Sequence, residues 1–107
     1  MATQKAAAAA KEITAEQIAE WKKRFGKVFR YEAVDGKTCY LRRPTRAEFS
    51  AANVIGGADA IKIKEILLRN CWLDGDMEIQ NDDAHFYGLG AWLDDLIGMV
   101  AGELKEV

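Results

Sequence analysis

From Thr14 onward, apolar residues recur at helical spacing, with Ile18, Trp21 and Phe25 on one face. Thr14-Ala15-Glu16-Gln17 has capping-box form: a hydroxyl for the first free amides and a Gln three residues on to reach back. Lys22, Lys23 and Arg24 suit the negative end of the helix dipole, and Gly26 supplies a stop. The period then shortens to two. Val28 to Val34 is rich in β-branched and aromatic residues, Asp35-Gly36 offers the positive dihedrals of a tight primed turn, and Lys37 to Arg42 returns. Cys39 and Leu41 alternate with Thr38, Tyr40 and Arg42, so one strand face is apolar and the other is aromatic and basic. Pro44, the only proline, closes the strand.

Helical spacing resumes at Thr45-Arg46-Ala47-Glu48, a second capping box. It predicts a short helix from Arg46 to about Ile55, carrying Phe49, Ala52 and Asn53 and closed by Gly56-Gly57. A third helix covers about Ala58 to Trp72, with Ile63, Ile66, Leu67 and Cys71 as its stripe and Ile61, Leu68 and Trp72 widening it. A helix this apolar around its circumference belongs at the centre of a core. Leu73-Asp74-Gly75-Asp76 reads as a turn. A last helix, from about Asp83 to Glu106 and capped by Asn81 or Asp82, aligns Phe86, Leu89, Leu93, Leu96, Ile97, Val100 and Leu104. These span roughly 100° of arc, and Trp92 and Met99 extend it to about 160°. Gly88, Gly90, Gly98 and Gly102 would each cost that helix about 1 kcal/mol relative to alanine. Close packing against another helix would offset the cost. The order α-β-β-α-α-α describes an α+β fold, one β-hairpin packed with three to four helices. It forms a single domain over 13–107, after a flexible Ala-rich arm over 1–12.

Composition sharpens this picture in three ways. The 107 residues are 50% hydrophobic and 30% charged, the balance of a folded chain with one core. No apolar run approaches the ~18 residues of a membrane helix. The net charge of -2 hides a division: residues 1–46 carry 11 Lys/Arg and 5 Asp/Glu, whereas 47–107 carry 4 and 12. Halves of +6 and -8 favour an acidic or basic partner, or head-to-tail self-association. The Ala-rich start, with Lys11 and Glu12 following at once, is not of signal-peptide form. Two cysteines without an export signal point to the cytosol.

Candidate chemistry is sparse. Asp74-Gly75-Asp76-Met77-Glu78 invites a calcium reading, but counted from Asp74 the loop has Ile79 where glycine is needed and His85 where the closing carboxylate is needed. His85 stands apart from Cys39 and Cys71, so no zinc set is formed, and both cysteines read as small apolar core residues. No catalytic residue, cofactor site or metal site is expected. Basic residues interleaved with aromatics, from Trp21 through Arg46, offer a nucleic-acid surface in which Arg30, Arg42 and Arg43 would make the contacts. The acidic pI of about 5.4 argues against it. The broad stripe of the last helix is the stronger binding candidate, with Leu89, Trp92, Leu96 and Met99 as the residues a partner would meet.

The run Asp35-Gly36-Lys37-Thr38-Cys39-Tyr40-Leu41-Arg42-Arg43-Pro44-Thr45-Arg46-Ala47-Glu48-Phe49 resembles phage tail assembly chaperones. In those small proteins a strand ending in a Leu-Arg-Arg-Pro-Thr-like sequence leads directly into a helix. Asn70-Cys71-Trp72-Leu73-Asp74-Gly75-Asp76 is similar to short proteins encoded by bacterial prophages. The resemblance implies a non-enzymatic role in the host cytoplasm, with no catalytic residues to carry over. It implies an apolar groove that keeps a long, helical tape-measure protein soluble, and a tendency to form homo-oligomers. A small nucleic-acid-binding accessory protein and a structural virion component are the alternatives.

Overall fold

The computed structural model describes residues 13–107, so the Ala-rich arm assigned to 1–12 lies outside the described residues. Helix α1 (Ala15–Phe25) is capped by the Thr14 hydroxyl, which accepts from the Gln17 amide, and Gly26 ends it at φ 87°. Strands β1 (Val28–Glu32) and β2 (Thr38–Arg42) pair antiparallel, Phe29 opposite Leu41 and Tyr31 opposite Cys39. The turn between them is one residue longer than a two-residue primed turn. Ala33 donates to Lys37 and accepts from Gly36, and Gly36 takes the positive φ of 94°.

Helix α2 (Arg46–Gly56) opens with the full capping box of Thr45 and Glu48, worth about 1 kcal/mol. Helix α3 (Ala60–Cys71) follows, capped by Asp59. It buries Leu67, Leu68 and Cys71 but leaves Ile61 46% exposed, so it is a flanking helix rather than the core's centre. The expected turn after it is instead a third strand, β3 (Trp72–Gly75), antiparallel to β2, with a bulge opposite Tyr40–Leu41. The sheet order β1-β2-β3 puts β2 in the middle.

After a short α4 (Glu78–Asn81), the expected long last helix over 83–106 is broken into α5 (Asp83–Gly90) and α6 (Leu93–Ile97), and residues 98–107 are not helical. Glycine stands at the end of both α5 and α6, and at Gly98 its positive φ makes the stop. α5 ends at Gly90, and Gly98 stops α6 at φ 72°. Of these glycines only Gly90 faces another helix, near the Lys64 stem of α3; Gly88 lies against the Tyr31 hydroxyl of β1 and Gly98 against the Arg43 guanidinium.

The core lies on one side of the sheet. Cys39 and Leu41 of β2 pack with Leu68 and Cys71 of α3 and with Ile79, Phe86, Leu89, Leu93 and Leu96 of α4 to α6. Phe29, Tyr31 and Trp72 border that cluster. The opposite face is covered by α1, where Trp21 is buried and meets Tyr40 at 5.8 Å between ring centroids. The period-two alternation thus becomes two packed faces, with α1 on one and α3 to α6 on the other. Burial pushes the Cys39 thiol up to about 12 and the Cys71 thiol up to about 11, so both stay protonated and act as apolar packing.

Candidate functional site

A groove of about 430 Å³ lies between the outer edge of β1 and helices α5 and α6. Its apolar surface comes from Phe29, Tyr31, Leu41, Leu89, Leu93 and Leu96, and its rim from Trp92, Arg30, Glu32 and Asp95. Trp92 is 58% exposed, a large apolar surface held at the lip. Leu89 and Leu96 are buried beneath it as part of the core. Three of the four partner-binding residues expected from sequence, Leu89, Trp92 and Leu96, are therefore brought together here. Met99 is not among the lining residues; it lies beyond α6 and is 89% exposed.

Among the described residues, the β1 side of the groove is an unpaired sheet edge. Because Ala33 donates to Lys37, the pairs exchanging hydrogen bonds in this ladder are Tyr31–Cys39 and Phe29–Leu41. The backbone N–H and C=O groups of Val28, Arg30 and Glu32 consequently point away from β2, toward the open side. The site thus combines unpaired backbone groups with an adjoining apolar trough, the two elements by which extended or helical segments are bound. Phe29 and Tyr31 were absent from the sequence-derived site. Their alternation in register with Leu41 and Cys39 was the signal for them, whereas the approach of α6 to β1 had no local signature.

The three arginines of the nucleic-acid reading are dispersed. Arg30 is exposed and only 4.0 Å from Glu32. Arg42 forks onto Glu48 at 2.9 and 2.8 Å and donates to the Asn70 carbonyl at 2.7 Å. Arg43 stacks 5.2 Å over the Phe29 ring, and its buried Nε has no acceptor among the described residues. The aromatic partners are also engaged: Trp21 with Tyr40, and Tyr31 at the core face.

His85, read from sequence as a solitary residue at a helix start, is a clasp. One ring nitrogen lies 2.7 Å from Asp82 and the other 2.6 Å from Asp35, tying the β1–β2 turn to the start of α5. Hydrogen bonding from Asp82, then Asp35, raises the His85 pKa, and His85 lowers that of both carboxylates. The two signs define a window. The histidine contribution is full below its ordinary value near 6.5 and is lost as pH rises through the raised folded value. The carboxylate contribution is full above about 3.8 and is lost as pH falls through the lowered one. The unfolding temperature should therefore be highest between those limits, and His85→Asn should flatten its fall on the alkaline side. An unchanged alkaline limb would remove His85 as its cause.

Among the described residues, no group of three His, Cys, Asp or Glu side chains is arranged to hold a metal ion, and no helix is long and apolar enough to cross a membrane. Compared with known proteins, the chain matches no family model, no curated protein and no solved structure.

Proposed function

We propose that this chain is a non-enzymatic assembly protein of the phage tail-chaperone type, whose groove shelters an apolar face of a long, helical, tape-measure-like partner. The observation that carries the reading is the apolar groove with the half-exposed Trp92 on its lip. An apolar trough of this kind suits the stripe of an amphipathic helix, and a tryptophan that such a helix covers is among the residues that commonly dominate such contacts. The resemblance of Asp35–Phe49 to tail assembly chaperones supports the same reading and would put the work in the host cytoplasm. The engagement of Arg42 and Arg43 within the fold counts against the nucleic-acid alternative.

Affinity capture from the native lysate, with and without nuclease, tests it. The expected result is one long, helix-rich protein retained regardless of nuclease. Trp92→Asp should weaken its binding roughly thirtyfold while the domain stays folded, because Trp92 is a rim residue and not core. Loss of every partner on nuclease treatment would overturn the reading in favour of nucleic acid. Recovery of the chain alone, in a defined assembly, would overturn it in favour of a virion component.

A further inference from the structure

We propose that residues 99–107 form a strap that closes over the chain's own groove, competing there with the partner. This inference rests on the groove being the binding site. In the structure the segment stands open: Met99, Val100, Leu104 and Val107 are 89%, 96%, 100% and 120% exposed. Apolar side chains left in water beside an unfilled apolar trough leave exposed surface on both sides, and Val100 and Leu104 are two that a strap could bury there.

Position makes the chain's own groove the occupied one. α6 lines the groove with Leu93 and Leu96, and the segment leaves directly from its end at Gly98. Arg43 fixes that exit point. Its guanidinium lies against Gly98 and stacks on Phe29, a groove residue, so the segment starts beside the Phe29 end of β1. Nine extended residues reach about 30 Å, whereas the five of β1 span about 17 Å. A tether this short holds the strap at millimolar effective concentration, above what a second copy supplies at ordinary protein concentrations. Gly98, already at positive φ, is the natural hinge.

The chemistry of the strap fits an added strand better than a helix. Gly98 and Gly102 disfavour helix, while an extended conformation turns Val100, Leu104 and Glu106 to one side and Met99, Glu103, Lys105 and Val107 to the other, so Val100 and Leu104 are the pair that can enter the trough. With Val100 and Leu104 in the trough, the backbone can meet the outward groups of Val28, Arg30 and Glu32 along the β1 edge. Closure also covers Trp92 and removes the free edge, a feature that otherwise invites aggregation.

The test uses the full chain and a Val100→Asp/Leu104→Asp variant, both substitutions at exposed positions. Amide exchange at Arg30 and Glu32, and acrylamide quenching of tryptophan emission in a background with Trp21 and Trp72 replaced by Phe, report strap closure. The expected result is slower exchange and weaker quenching in the full chain than in the variant, by several-fold and independent of protein concentration. Equal exchange and quenching in both would overturn the strap. Protection appearing only as concentration rises would also overturn it, in favour of exchange between copies. Neither readout needs a partner, so the strap and the proposed function fail separately. If both hold, the variant binds the partner more tightly than the full chain, since an occupied groove lowers apparent affinity by its closed fraction.

Discussion

Gly75→Ala is expected to destabilise the protein more than any other glycine replacement. Gly75 sits at the end of β3 with φ 144°, and its α-carbon is pressed against β2. A methyl group there would meet the Cys39 α-carbon and, at 2.6 Å, both the Cys39 Cβ and the Thr38 carbonyl oxygen. These are backbone and buried-core atoms that cannot swing aside. The same place carries a two-way lock: the Asp76 amide donates to the Thr38 carbonyl and the Thr38 amide to the Asp76 carboxylate, both at 2.9 Å. Alanine must therefore either strain the backbone or break β3 from β2. Strain at such φ costs about 1–3 kcal/mol, and the overlap adds to it, so a total of about 3 kcal/mol or more is expected. For a domain of this size that lowers Tm by more than about 12 °C. Two other glycines calibrate the result. Gly26→Ala carries a positive φ of 87° with nothing within 4 Å, and should cost about 1 kcal/mol. Gly102→Ala has neither constraint and should be neutral. Equal effects at Gly75 and Gly26 would show that close approach to β2 adds nothing.

Gly75 also shows where the sequence was legible and where it was not. The helix starts at Thr14 and Thr45, the stops at Gly26 and Gly57 and the two-faced β1–β2 pair are local features, written in capping chemistry and alternation. They could be read because each is decided within a few residues. Leu73-Asp74-Gly75-Asp76 has turn composition but forms a strand, because β2 offers its second edge and Gly75 allows the backbones to meet. That outcome is decided by a strand some thirty residues away. The break in the expected last helix is a different case. Apolar spacing from Phe86 to Leu104 pointed to one helix, and the cost of the glycines was visible, yet α5 ends at Gly90 and the positive φ of Gly98 stops α6 against that periodicity. The candidate site inherits both outcomes. Leu89, Trp92 and Leu96 line one groove because they remain on one apolar surface across the break. Met99 was misplaced with them because it lies past Gly98, where the helix no longer sets direction. His85 was missed because its second partner, Asp35, is fifty residues distant.

Arg42→Ala is expected to be the most damaging surface-charge substitution, and the reason also bears on function. The guanidinium is largely buried, with 17% of its side-chain surface exposed, and it joins four elements. From the end of β2 it forks onto Glu48 of α2, donates to the Asn70 carbonyl near the end of α3 and lies 5.4 Å from the Phe25 ring of α1. Glu48 in turn accepts from the Thr45 amide, so the capping box and the ion pair share one carboxylate. Removing Arg42 takes both guanidinium hydrogen bonds from the Glu48 carboxylate, which keeps the Thr45 amide, and removes the guanidinium bond to the Asn70 carbonyl. Hydrogen bonds to charged groups are worth about 1.5–3 kcal/mol, and partial exposure of Glu48 keeps the total loss near 3 kcal/mol. Arg42→Lys should recover less than half, because an ammonium cannot reproduce the two-pronged geometry. The pair also has a pH signature. The Arg42 hydrogen bond, with help from Thr45, pulls the Glu48 carboxyl down to about 2 from 4.5. The unfolded chain therefore takes up a proton at a pH where the folded one does not. The stabilisation is full above about 4.5 and drains away as pH falls toward 2. Unfolding of the Glu48→Gln variant should lack that acid-side slope, and an unchanged slope would assign it to other carboxylates. By contrast Arg30→Glu, at an exposed rim position, should leave stability within about 0.5 kcal/mol. Two arginines that sequence places on one hairpin face thus do different work: Arg42 holds the helices to the sheet, and Arg30 stays on the exposed rim beside Glu32.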